Sequence, residues 1–118
     1  PGGGQLVELD GGLKAVDTVV GRGRAAKSGD KLSVRYSGLT ADANGNWFQF
    51  DDNRGKAFHF TLGQGSVIRG WDMGFGGMRC GGTRRLIIPG ALAYGPHGSG
   101  PILPNATLVF EVHLDNVQ

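Results

Sequence analysis

Apolar and polar residues alternate along most of this chain, and alternation is the mark of a strand buried on one face. Leu32, Val34 and Tyr36 share one face of residues 32–39, and Phe58, Phe60 and Leu62 share one face of residues 58–62. Leu108, Phe110, Val112 and Leu114 align in the same way over residues 107–114. Residues 13–20, 47–51 and 84–88 complete the predicted strands, the last stopped by Pro89. Asn44-Gly45 between residues 39 and 47 predicts a hairpin, because both residues tolerate positive φ. One segment breaks the pattern. After Ser66, a candidate N-cap, Val67, Ile68, Trp71 and Phe75 recur at helical spacing until Gly76-Gly77 ends the run. Five or six antiparallel strands with one short helix predict an α+β fold, a curved sheet with an apolar plug on its concave face. Residues 91–105 read as a long loop rich in glycine and proline, a length that is usually functional or disordered.

The size and composition narrow this further. A chain of 118 residues is one domain, here residues 13–118 after a partly flexible extension over 1–12. Glycine takes 23 positions, but with five prolines and no three-residue period the chain is not collagenous. The longest aliphatic run, Leu86-Ile87-Ile88, is far short of the ~20 residues of a membrane span. The net charge of +2 is too mild to argue for a nucleic acid or a membrane surface. A single cysteine, Cys80, removes any internal disulfide and every cysteine-based zinc pattern, and the three histidines have no ligand spacing. The opening Pro1-Gly2-Gly3-Gly4 carries no signal-peptide pattern, which leaves the compartment open, cytoplasm or an organelle such as a plastid.

Most candidate motifs have a simple structural reading. Gly63-Gln64-Gly65 lacks the spacing and the lysine of a phosphate loop, and fits a turn into the helix. Asp42-Ala43-Asn44 starts like a calcium loop but has no glutamate at the twelfth position. Adjacent Asp51 and Asp52 point to opposite faces of a strand, so they are no ready acid/base pair. The aromatics carry more. Trp71 lies on the one helix that must face the sheet, and Tyr94 lies in a loop where a core role is less natural. Together they predict an apolar cup with few polar groups.

In order and spacing, several segments resemble the FKBP-type peptidyl-prolyl cis–trans isomerases over about residues 13–116. They are Val34-Arg35-Tyr36-Ser37-Gly38, Asn53-Arg54-Gly55-Lys56, Phe58-His59-Phe60-Thr61-Leu62-Gly63, Val67-Ile68-Arg69-Gly70-Trp71-Asp72, Leu92-Ala93-Tyr94-Gly95 and Pro104-Asn105-Ala106-Thr107-Leu108-Val109-Phe110. The resemblance implies a twisted antiparallel sheet wrapped around a short helix, and it implies pocket roles. Trp71 would be the floor, with Tyr36, Phe48, Phe58 and Phe110 as walls. Val67 and Ile68 would line one side, with the Ile68 N–H as a donor to a bound carbonyl. Tyr94 would offer its hydroxyl, and Ile102 would close the rim. No nucleophile, metal or cofactor is implied. The family often has an acid directly after the wall phenylalanine. Ungapped counting back from Arg54-Gly55-Lys56 puts Phe48 and Gln49 there, and a gapped alignment puts Phe50 and Asp51. The ungapped count is preferred, with Gln49 and Asp51 then on one strand face. The implied activity is isomerisation of Xaa-Pro bonds in protein substrates by a monomer, with reduced affinity for the family's macrolide ligands. The alternative is a non-catalytic binding module, its turnover weakened because Gln49 replaces the acid.

Overall fold

A computed structural model describes residues 4–118. Six strands form one open, wholly antiparallel sheet: β1 (Leu6–Glu8), β2 (Lys14–Val19), β3 (Lys31–Ala41), β4 (Trp47–Thr61), β5 (Thr83–Ile88) and β6 (Leu108–Val117). Their spatial order is β1-β2-β5-β6-β3-β4, so β6 is central and β1 and β4 are the edges. The expected α+β architecture is present. The first part of the extension, residues 1–3, lies outside the described residues. Within the extension, Leu6–Glu8 is ordered as an edge strand, pairing Leu6 with Val16 and Glu8 with Lys14.

The hairpin forms where Asn44-Gly45 places it. Asp42 Oδ1 accepts from the N–H groups of Asn44 and Asn46 at 2.9 Å each, and Ala41 then faces Trp47. The two strands read at 47–51 and 58–62 are one 15-residue strand, interrupted rather than ended. Between the pairs Tyr36↔Asn53 and Val34↔Phe58 the β4 side has extra residues, so Arg54–Ala57 bulge outward. A second irregularity lies between Gly38↔Asp51 and Leu39↔Gln49, where one step on β3 matches two on β4.

The helix α1 (Arg69–Gly74) is shorter than the apolar spacing predicts. Ser66 is not its cap, because the helix starts after Ile68, whose backbone is still extended. Two glycines set how close it lies to the sheet. A Cβ on Gly70 would sit 2.5 Å from Ile88 Cγ2, and one on Gly74 would sit 2.8 Å from Leu86 Cδ2. Helix backbone therefore rests directly on β5. Arg84 locks the end of α1 in place: it binds both oxygens of Asp17 on β2, at 2.6 and 3.1 Å, and donates to the carbonyls of Gly74 and Gly76. The core lies between the two layers, with Leu32, Val34, Leu86, Ile88, Leu108, Val112 and Leu114 from the sheet meeting Trp71 and Phe75. Each such side chain contributes roughly 1.5–3 kcal/mol on burial.

Residues 91–105 are not a featureless loop. They begin within one 3-10 turn (Gly90–Leu92), contain a second (Gly95–His97), and include Ser99 and Ile102 exchanging main-chain hydrogen bonds of 2.9 and 2.8 Å.

Candidate functional site

The concave face opens into a cavity of about 440 Å³. Its floor is Trp71, 4% exposed, which the close seat of α1 presses against the sheet. Around it stand Tyr36 from β3, Phe58 from β4 and Phe110 from β6, each meeting the indole edge-on at 4.9, 6.0 and 5.3 Å. Edge-to-face contact is the arrangement that aromatic quadrupoles favour, so the rings hold one another rigidly. Val67 and Ile68 line one side, Gly65 and Ser66 the lip, and Tyr94 reaches in from the loop after β5. Phe50 and Asp51 complete the lining.

The last pair corrects the sequence reading. Gln49 and Asp51 do not share a face. The irregularity opposite Gly38–Leu39 lets Phe50 and Asp51 both turn to the concave side, whereas Gln49 faces the opposite side of the sheet beside Ser37, Leu39 and Glu111. Phe48 is half-buried opposite Thr40 and lines none of the cavity. Period-two counting fails across a bulge, which changes the face of every residue beyond it. The premise of the binding-module alternative, a neutral Gln49 in the acid's slot, goes with it. A signal for the bulge was present: a glycine inside a strand marks a bulge or a close approach. Gly38 does both, since a Cβ there would lie 2.8 Å from Phe110 Cε1 and from Phe50 Cζ.

Ile102 is the other departure. It is not at the rim but in the core, 7% exposed, where its apolar side chain anchors the loop that carries Tyr94. Tyr36, Phe58, Val67, Ile68, Trp71, Tyr94 and Phe110 are brought together at the cavity. Gly65 and Ser66 were missed there, having no chemical signature of their own.

The polar groups are few. Tyr36 donates its hydroxyl proton to Asp51 Oδ2 at 2.8 Å. Burial, and then the hydrogen bond to Asp51 and its negative charge, hold the Tyr36 phenol well above its ordinary range, so it stays a neutral donor. The Trp71 indole N–H is buried without an acceptor, and the Ile68 N–H has no partner among the described residues. Asp72 shapes the lip: its two oxygens accept from the N–H groups of Gly63 and Gly65 at 2.9 Å each, fixing the turn that delivers Ser66 and Val67. The arrangement is an aromatic cup with one anchored carboxylate at its mouth. Among the described residues it contains no nucleophile paired with a base and no cluster of metal ligands.

Comparison with known proteins agrees with this geometry. The chain is 46% identical to FK506-binding protein 3 of Yarrowia lipolytica over 111 residues, covering 94% of this chain and 26% of that protein. It thus spans about a quarter of that relative's length. It is also 46% identical to an FK506-binding protein of Neisseria meningitidis over 105 residues, covering 88% of this chain and 94% of the relative. The crystal structure of AtFKBP13 superimposes with a TM-score of 0.80 at 36% identity, covering 97% of this chain and 99% of the other. The family model for FKBP-type peptidyl-prolyl cis-trans isomerase matches residues 22–115, and the chain therefore belongs to that family.

Proposed function

We propose that this chain accelerates rotation about exposed Xaa-Pro bonds of protein substrates. The observation that carries the reading is the cavity itself: six aromatic and two aliphatic side chains around a space of about 440 Å³, with Asp51 the one charged side chain in its lining. Rotation about the bond crosses a barrier of ~18–20 kcal/mol because it destroys amide resonance. The planar amide is strongly dipolar and is favoured by water, while the twisted amide, with its carbonyl and nitrogen decoupled, is less so. An apolar cup that admits the prolyl ring onto the Trp71 floor and excludes water therefore favours the twisted form over the planar one. Reaction needs no bond to the protein. The free Ile68 N–H and the Tyr94 hydroxyl are placed to hold substrate carbonyls while the bond turns. Tyr36, Phe50, Phe58 and Phe110 form the wall, and Asp51 keeps Tyr36 oriented. All of these groups come from one copy of the chain, so a monomer suffices.

The same cavity fits a macrolide of the kind named in the relatives. Asp51 Oδ1 has no partner among the described residues and is free to accept a ligand hydroxyl proton, so binding need not be weakened by Gln49.

The test is exchange NMR on a short Xaa-Pro peptide without any coupled protease, using wild type and Tyr94→Phe, both confirmed folded. Wild type accelerates exchange, and Tyr94→Phe lowers kcat/KM by about tenfold, the worth of one hydrogen bond made in a desolvated site. A folded wild type that leaves exchange at its spontaneous rate would refute the proposal.

A further inference from the structure

Beside the cavity, a second depression of about 480 Å³ is lined by Phe58, His59, Phe60, Thr61, Gln64 and Ser66. It shares Phe58 and Ser66 with the first, so the two adjoin along the β4 side of the cavity. Its floor is the Phe58–Phe60 stack, with ring centroids 6.0 Å apart and planes 28° from parallel. One bank of this groove is main chain. Among the described residues β4 has β3 as its only neighbour, so its other side is a sheet edge. Leu62 exchanges main-chain bonds with Gly29 and Asp30, which directs its own N–H and C=O toward the β3 side. Antiparallel alternation then turns Phe60 toward β3 and leaves the N–H and C=O of His59 and Thr61 pointing outward. Lys31 agrees: opposite Thr61, it gives its main-chain bonds to Gln118 on the far side instead.

The rest of β4 is a poor edge for pairing. It is broken by the irregularity at 49–51 and the bulge at 54–57, and it carries Asp52, Arg54 and Lys56. Such bulges and charges are the usual protection of an exposed edge. Over 58–61 the register runs unbroken from Val34↔Phe58 to Lys31↔Thr61, and these four β4 residues include no Asp, Glu, Lys or Arg. Of the two unbroken, uncharged stretches of β4, 47–49 and 58–61, only the second borders the cavity with its Phe58.

We infer that the substrate chain flanking the proline lies extended in this groove and pairs as an added strand with the outward N–H and C=O groups of His59 and Thr61. This rests on the isomerase reading above. It assigns the protein a preference for prolines set in extended, unpaired segments. Main-chain pairing makes the preference tolerant of sequence, while the Phe58–Phe60 floor favours an apolar side chain above it.

Three peptides with the same central Xaa-Pro bond test this against the full chain: a blocked short one, one extended by about four residues on each side, and the extended one with esters replacing alternate flanking amides. Two readouts are taken, kcat/KM by exchange NMR and amide hydrogen exchange at His59 and Thr61. Extension raises kcat/KM about tenfold through a lower KM, and slows hydrogen exchange at both residues. The ester peptide loses both effects. Extension without any slowing at His59 and Thr61 overturns the inference, as does a gain that the esters leave intact. If no peptide is turned over, the isomerase reading fails, and slowing of those two amides by the long peptide but not by the ester peptide still decides the groove separately.

Discussion

Truncating Phe50 and Phe48 to alanine, one at a time, separates the observed wall from the one that counting along the sequence selects. Phe50 is half-buried, packs against the core and meets Phe110 edge-on at 5.6 Å. A fully buried Phe→Ala costs about 3–5 kcal/mol, and roughly half of that applies here, about 2 kcal/mol. Phe48 has no ring partner among the described residues and is not packed against the core cluster, so Phe48→Ala costs about 1 kcal/mol or less. Activity should divide more sharply. A wall that covers ~50 Å² of a bound prolyl ring contributes about 1.3 kcal/mol at ~25 cal/mol per Å². Phe50→Ala therefore loses about tenfold in kcat/KM, while Phe48→Ala retains it. Urea unfolding gives the stabilities, and exchange NMR on a short Xaa-Pro peptide gives the rates. The reverse result, with Phe48→Ala the inactive variant, would sink the argument from the bulge at residues 49–51.

Gly38→Ala drives a methyl group between the Phe50 and Phe110 rings, and should lower stability by about 1–3 kcal/mol in thermal unfolding and lower kcat/KM with it; full activity would mean that the two walls need not stand where they do. Asp51→Asn removes the charge facing Tyr36, so the phenol should titrate lower, yet still above its ordinary ~10 because burial remains; an unchanged NMR titration of Tyr36 would deny the pairing. On the far face of the sheet, hydrogen bonds from Arg35 hold Asp115 below the usual carboxylate range, and those from Arg54 hold Asp52 down to about 2. Depressed carboxylates stabilise the fold fully above their unfolded pKa of ~4 and lose that contribution as the pH falls through the folded values. Urea midpoints should thus be flat from neutrality to about pH 5 and decline below about 4, less steeply in Asp115→Asn; an identical acid slope in that variant would refute the assignment.

Much of this architecture was legible because burial writes a period into the sequence. The faces of 32–36, 58–62 and 108–114 follow from alternation, and Trp71 follows from being on the only helical stretch. Four features were not legible, each for a physical reason. Leu6–Glu8 is too short to alternate, and it forms a strand because β2 offers it a neighbour. Ser66 has the chemistry of a cap but sits in a turn held from elsewhere, by the carboxylate of Asp72. The acid of the site was misplaced because side-chain direction along a strand is a running sum, and one added residue at the bulge reverses every later term. Ile102 was misassigned for a different reason: an apolar residue in a glycine-rich loop fits a rim as well as an anchor until the path of the loop is known.

The central position of β6 has a kinetic consequence. The strand is made last of the six, yet it bonds to β3 and β5 on its two sides, pairing Thr40 with Leu108 and Ile88 with Leu108. Until it arrives, the β3–β4 hairpin and the long-range β2–β5 pair are separate pieces whose inner edges face no partner and whose apolar faces lack Leu108, Phe110, Val112 and Leu114. Closure must therefore await contacts far apart in sequence, which places refolding among slow topologies, on the order of milliseconds to seconds. During synthesis, a ribosome that has not yet released residues 108–117 holds a chain with two exposed sheet edges and an aromatic cup that lacks its Phe110 wall.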